Sequence, residues 1–198
     1  MKKTGGRPRG FDRDAALEQA LTEFWRHGYE ATSIASLTAA MGINPPSLYG
    51  AFGDKRKLFT EAVRHYGQTY GAFGGRALAE EPTAHAAVRR LLHEAAREYT
   101  DPGHPPGCMV ITAATNCTPA AEDVKAELRA LREASKRAIH EKIAADLSAG
   151  RLAASVDAAA LAMFYAATLQ GMSTQACDGA GRSDLERLAG IAMTAWPR

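Results

Sequence analysis

Three thiols, a run of hydroxyls and a basic end are the parts of this 198-residue chain whose types and spacing could do chemistry. Cys108, Cys117 and Cys177 form no C-x-x-C pair and leave one thiol over, so the spacing fits neither a disulfide framework nor a structural zinc site, and reduced thiols are expected. Adding His104 to the set supplies no close ligand pair, and neither a metal nor a cofactor is expected. No G-x-G-x-x-G follows a strand, and there is no phosphate loop, H-E-x-x-H or G-x-S-x-G elbow, so a binding protein is expected, with a small helical enzyme as the alternative. The net charge of +2 hides an uneven distribution, because Lys2, Lys3, Arg7 and Arg9 place four cations in the first ten residues against no acid.

The elements that must position these residues read as helices throughout, since helical spacing and helix punctuation recur and strand-like alternation does not. The chain is expected to be all-α. A flexible basic arm covers residues 1–10. Asp12 can cap a first helix ending at His27, with Leu17, Leu21 and Phe24 on one face and Gly28 as the stop. Thr32 is the next plausible cap, before a short helix that ends at Gly42. Asn44 caps a third helix whose first turn tolerates Pro45 and Pro46, because those backbone amides have no intrahelical acceptor. Asp54 opens a fourth helix through Tyr70, weakened or ended by the Gly71 to Gly75 stretch. Further helices are predicted at 83–100, 107–117, 119–149, 156–176 and 183–196. In the 119–149 helix Val124, Leu128, Leu131, Ala138, Ile139, Ile143 and Leu147 share a face, and Ser183-x-x-Glu186 reads as a capping box for the last helix. Apolar stretches break well before the roughly 18 residues a membrane helix needs, and no apolar segment follows Met1-Lys2-Lys3 as in a signal peptide, so a cytoplasmic protein without membrane contact is expected. Apolar content of 46% suits a packed core.

A short helix, Gly42-Ile43-Asn44 and a second short helix are the layout of a helix-turn-helix, whose second helix sits in the major groove of DNA. Leu37 lies five residues before Gly42 and Leu48 six after it, so the two side chains can meet and fix the angle between the helices. Thr32-Ser33 through Met41-Gly42-Ile43, then Ser47-Leu48-Tyr49, Phe52-Gly53-Asp54-Lys55 and Leu58-Phe59, resemble the DNA-binding domain of the TetR (tetracycline-repressor) family over about residues 11–66. Thr38 stands where that family more often has Ala, and Gly50-Ala51 replaces a bulky pair such as His-Tyr, so the operator preference of other members does not transfer.

The resemblance implies a dimeric regulator of transcription that binds double-stranded, pseudo-palindromic operator DNA, as a repressor or alternatively an activator. It implies phosphate contacts for Thr32, Ser33, Tyr49 and Lys55, and base-edge contacts for Pro45, Pro46 and Ser47, with Asn44 among the DNA-binding residues. The chemistry agrees with these roles: hydroxyls and a helix N-terminus suit phosphate oxygens, and proline rings can touch a thymine methyl. Gly6-Arg7-Pro8-Arg9 resembles a minor-groove binding core, with a solubilising tail as the alternative reading of Arg7 and Arg9. Residues 67–198 would form a helical effector-binding and dimerisation domain. Its last two helices are the expected interface, with Ala158, Ala159, Ala162, Ala166 and Ala167 beside Met163, Phe164 and Leu169, and with Leu185, Leu188, Ile191 and Trp196 opposite. For a small-molecule effector the candidates are Tyr66, Tyr70, Phe73, Tyr99, Met109 and Tyr165, which as helical aromatic or apolar residues could equally be core. Cys108, in a Gly-Cys step resembling that of electrophile-sensing members, is either a sensor thiol activated at a helix N-terminus or a small packing residue.

Overall fold

The computed structural model describes residues 10–113 and 118–197. Arg7, Arg9 and Cys117 lie outside the described residues, as does most of the arm. The described chain is all-helical: α1 (Arg13–Ala31), α2 (Ile34–Met41), α3 (Pro45–Phe52), α4 (Lys55–Gln68), α5 (Ala72–Glu80), α6 (Ala84–Glu98), α7 (Met109–Thr112), a 3₁₀ turn at Pro119–Ala121, α8 (Glu122–Ser148), α9 (Ala158–Cys177) and α10 (Arg182–Met193). No helix among the described residues is long and apolar enough to cross a membrane.

Local signals set most of the ends. The Asp12 carboxylate accepts from the amides of Asp14 and Ala15, and Asp157 does the same for Ala159 and Ala160, so the first orphan amides of α1 and α9 are satisfied by a side chain one residue outside each helix. Gly28 breaks α1 where the stop was expected. Its backbone swings to φ 76°, ψ 171°, and one more helical turn follows to Ala31. The kink is held from outside the helix, because the Tyr29 amide left free there donates to the Ala113 carbonyl at 3.0 Å.

Three expectations on helix ends need correction. Ser33, not Thr32, caps α2: its hydroxyl accepts from the Ser36 amide at 2.9 Å while the Ser36 hydroxyl accepts from the Ser33 amide at 3.0 Å. At the last helix the Asp184 carboxylate accepts the Gly181 amide at 3.0 Å, and Glu186 pairs with Arg182 instead of closing a box with Ser183. The predicted 107–117 helix is reduced, among the described residues, to the four residues of α7. The Gly71 to Gly75 stretch hides a whole element. After a turn at Thr69 to Gly71 the chain re-enters a helix through Gly74 and Gly75, because α5 buries Phe73 and Ala77 against α6 and that burial outweighs roughly 1 kcal/mol of unfavourable helix propensity per glycine.

Two apolar clusters result. The first joins α1 to α4 through Leu21, Phe24, Leu37, Leu48, Leu58 and Phe59, and takes in Met109, Val124 and Leu128 from beyond. The second fills the space between α5, α6, α8, α9 and α10 around Leu92, Ile139, Tyr165 and Met172. A buried carboxylate ties the second cluster together. Asp146 of α8 accepts the Ala84 amide at 2.7 Å and the Arg151 guanidinium at 2.9 and 2.7 Å, so it caps the start of α6 from 62 residues away. Asp146→Ala is expected to cost about 3 kcal/mol, since it strands a buried amide and removes the partner of a guanidinium. A urea midpoint lowered by less than an equivalent of about 0.5 kcal/mol would contradict this account of the contact.

Candidate nucleic-acid interface and effector cavity

The recognition helix is built from its turn outward. At Gly42 the backbone takes φ 64°, ψ 30°, where a side chain would be strained, and the Gly42 and Ile43 amides close back onto the Ala39 and Thr38 carbonyls at 3.3 and 3.1 Å. Asn44 then caps α3 through its side-chain oxygen on the Ser47 amide at 2.9 Å, with Pro45 and Pro46 in the first turn. Leu37 and Leu48 are both fully buried in the first cluster, as their spacing around Gly42 requires. The opposite side of α3 is open: Asn44, Pro45, Pro46, Tyr49 and Gly50 are exposed, Tyr49 at 49%, and Ser47 is half-buried. The root of the arm at Gly10 and Phe11 joins Gly42, Ile43, Asn44, Ser47, Gly50 and Ala51 around a cleft of about 530 Å³.

A residue not singled out in the sequence fixes the far end of α3. Arg13 makes a two-pronged ion pair with Glu61 at 2.6 and 2.7 Å, lies 4.4 Å over the Phe52 ring and reaches the Ala51 carbonyl at 3.4 Å, so α1, α3 and α4 meet on one guanidinium. The hydrogen bond from Arg13 holds the Glu61 carboxyl below the usual carboxylate range. Nothing in the sequence marks a pair 48 residues apart.

The residues expected at phosphate divide. Ser33, the cap of α2, is exposed, as is Tyr49 on α3. Thr32 is 1% exposed and its hydroxyl donates inward to the Gly28 carbonyl at 2.6 Å, so that hydroxyl is not offered to DNA here. The Lys55 ammonium sits 4.4 Å over the Tyr29 ring and 3.5 Å from the Glu30 carbonyl, and burial lowers its pKa; reaching a phosphate means leaving that seat.

A cavity of about 440 Å³ opens beside α4. Its walls are Thr60, Val63, Arg64, Tyr66 and Gly67 of α4, Phe73 and Leu91, Tyr99, Cys108 to Ile111, and the α8 and α9 residues from Glu127 to Gln170, without Met109. Four of the seven effector candidates, Tyr66, Phe73, Tyr99 and Cys108, line it. The other three do not. Met109 is sealed in the first cluster, and Tyr165 is in the second with its hydroxyl on the Ala192 carbonyl at 3.3 Å. Tyr70 turns to α1, donating to Glu18 at 2.5 Å with its ring against Trp25 and His104.

The surroundings of Cys108 favour the packing alternative over an activated thiol. Burial pushes its pKa up, and α7 has only four residues to supply a dipole. Its amide donates to the Ser173 hydroxyl at 2.8 Å, and Gly107 is pressed so closely on Ser173 and Cys177 that any Cβ would fall 2.7 Å from the Cys177 sulfur. The Gly-Cys step is thus a docking point of the α6–α7 loop on α9.

The hydrogen bond to Glu18 pushes the Tyr70 phenol up to about 12, and burial does the same for Tyr165. The folded state favours the neutral phenol in both, so their contribution is complete below the ordinary value near 10 and is lost as pH climbs from there towards 12. Thermal midpoints measured from pH 9 to 12 should therefore fall, and Tyr70→Phe should make that fall shallower; an unchanged slope would remove Tyr70 as a contributor.

Sequence and structure comparisons agree with this arrangement. Residues 16–62 match the family described as bacterial regulatory proteins, tetR family, and residues 84–178 match the tetracyclin repressor-like C-terminal domain. The chain is 33% identical over 198 residues to the HTH-type transcriptional repressor ComR of Escherichia coli (strain K12), covering 100% of this chain and 94% of ComR. It is 36% identical over 124 residues to the repressor BdcR of the same organism, with 63% of each chain covered. Among solved structures it is similar to a cysteine-substituted form of the TetR family regulator CifR complexed with 26-base-pair operator DNA, with a TM-score of 0.93, 44% identity, and 97% of this chain and 100% of that one covered. With an exposed, capped recognition helix, a helical second half and matches over both, the chain belongs to the TetR family and is a DNA-binding transcriptional regulator.

Proposed function

We propose that the protein is a repressor that binds a pseudo-palindromic operator as a homodimer and releases it when a small molecule occupies the 440 Å³ cavity. The observation that carries the reading is the shared wall: α4 lines the cavity along Thr60 to Gly67 and, at its other end, begins two residues after Gly53 closes the recognition helix, with Asp54 as its cap between them. A second strut runs in parallel. Ala113, just past α7, holds Tyr29, and Arg56 of α4 pairs with Asp123 and Glu127 of α8. A ligand that spreads α4 from α8 therefore acts on both supports of the DNA-reading helix. ComR and BdcR, both named repressors, support repression over activation.

In this reading Ser33 and Tyr49 contact phosphate, and Pro45, Pro46 and Ser47 face base edges beside the Asn44 cap. The domain division follows the same lines, with residues 11–66 reading DNA and residues 67–198 receiving effector and partner. Dimerisation uses α9 and α10, where Met163 at 60%, Phe164 at 43% and Ile191 at 73% exposure leave large apolar side chains uncovered in the single chain.

The test compares affinity for a fragment of the protein's own promoter with that for random DNA at fixed salt, then screens small molecules for release. Equal affinity for both DNAs overturns the operator reading. For Cys108, a thiol-reactive electrophile should release operator from the wild type more than from Cys108→Ser if the thiol senses; equal release assigns it to packing.

A further inference from the structure

The charges around the cavity are not balanced within it. Val63, Phe73, Leu91, Val110, Leu131 and Leu169 give it an apolar body. The one lining carboxylate, Glu127, is already committed to Arg56 at 2.6 Å and to the Thr60 hydroxyl at 3.3 Å. Two lining guanidiniums are not matched in this way. Arg64 stands exposed with only Glu61 at 3.8 Å, and that carboxylate is held by Arg13 at 2.6 Å. Arg132 donates to the Val110 carbonyl at 2.7 Å; the adjacent Glu133 feels its charge but is paired with Lys136 at 2.7 Å, and no carboxylate of the described residues lies within ion-pair distance of Arg132. One of its five N–H donors is thereby used and the rest remain for a ligand. In the wall of the same cavity the buried Tyr66 hydroxyl, 2% exposed, has no oxygen or nitrogen partner among the described residues, only the Cys108 thiol, a weak one, beside it.

An apolar cavity with a guanidinium in no ion pair and a phenol beside nothing stronger than a thiol calls for an apolar molecule bearing an anion. We infer that the cavity takes a small apolar carboxylic acid, its carboxylate held by Arg132; the inference rests on reading the cavity as the effector site and names the class of effector. A planar carboxylate accepts two parallel guanidinium bonds, and one cation matches its single charge. The contact also reaches the DNA-binding half, since Arg132 already holds Val110 of α7 and α7 leads directly to the Ala113 carbonyl that binds Tyr29.

The experiment titrates the full-length protein calorimetrically with 4-phenylbutanoate and octanoate, each against its primary amide, and follows operator release by anisotropy in parallel. The acids should bind at least about tenfold tighter than the amides. Arg132→Met should erase that preference, and Arg132→Lys should keep part of it. Amides that bind the wild type as well as the acids, or no binding of either up to millimolar concentration, overturn the inference, and neither result depends on a variant folding. An acid preference that persists in Arg132→Met overturns the assignment to Arg132. Acids that bind without changing operator affinity leave the inference standing and overturn the effector reading, whereas release by neutral molecules alone does the reverse.

Discussion

The double variant Met163→Glu with Ile191→Glu is expected to be a folded monomer whose operator affinity is lower by at least about 100-fold, as the coupling of two linked half-site contacts is lost. Both side chains are more than half exposed in the single chain, so the substitutions remove little from either apolar cluster. In an isologous contact each new carboxylate appears twice, placing four like charges in a surface that must lose its water to form. The recognition helix and its caps are untouched, so each subunit still meets one half-site. Sedimentation velocity gives the oligomeric state, circular dichroism the helix content and anisotropy the affinity. A dimer with wild-type operator affinity would show that α9 and α10 are not the interface.

Leu48→Ala is the second large effect and acts within one subunit. Leu48 is fully buried, and truncating a buried leucine costs about 2–5 kcal/mol. The recognition helix has eight residues, too few to persist without tertiary support, and among its side chains only Leu48 and Phe52 are buried. Operator binding must then restore the order that the substitution removed. A loss of about 3 kcal/mol corresponds to on the order of 100-fold in affinity. Leu48→Met, which conserves volume, should cost under about 1.5 kcal/mol and keep most of the binding. Hydrogen exchange should show the α3 amides opening while those of α6 and α9 stay protected. Wild-type affinity in Leu48→Ala, with only a lower global midpoint, would mean that α3 is held by other contacts.

The parts of the site that were legible are those whose cause lies within a few residues. Gly42 as the turn, Asn44 and Asp54 as caps and the burial of Leu37 and Leu48 in one cluster each follow from short-range geometry, and all are found. Thr32 against Ser33 shows how close that limit lies. Both residues can cap a helix, and what separates them is the Gly28 carbonyl, placed within 2.6 Å of the Thr32 hydroxyl by a kink that itself depends on Ala113.

The same reason divides the rest. The sequence by itself determined a helical chain, a helix-turn-helix with its family resemblance, and a second half rich in small and aromatic residues, because periodicity and capping are local properties. Only the tertiary structure decided that Arg13 meets Glu61, that Asp146 caps α6, that two glycines sit inside α5, and that Tyr66, Phe73, Tyr99 and Cys108 share a cavity while Tyr70, Met109 and Tyr165 do not. Each of these depends on which surfaces meet across tens of residues, and a cavity is the space such meetings leave unfilled, which no local pattern encodes.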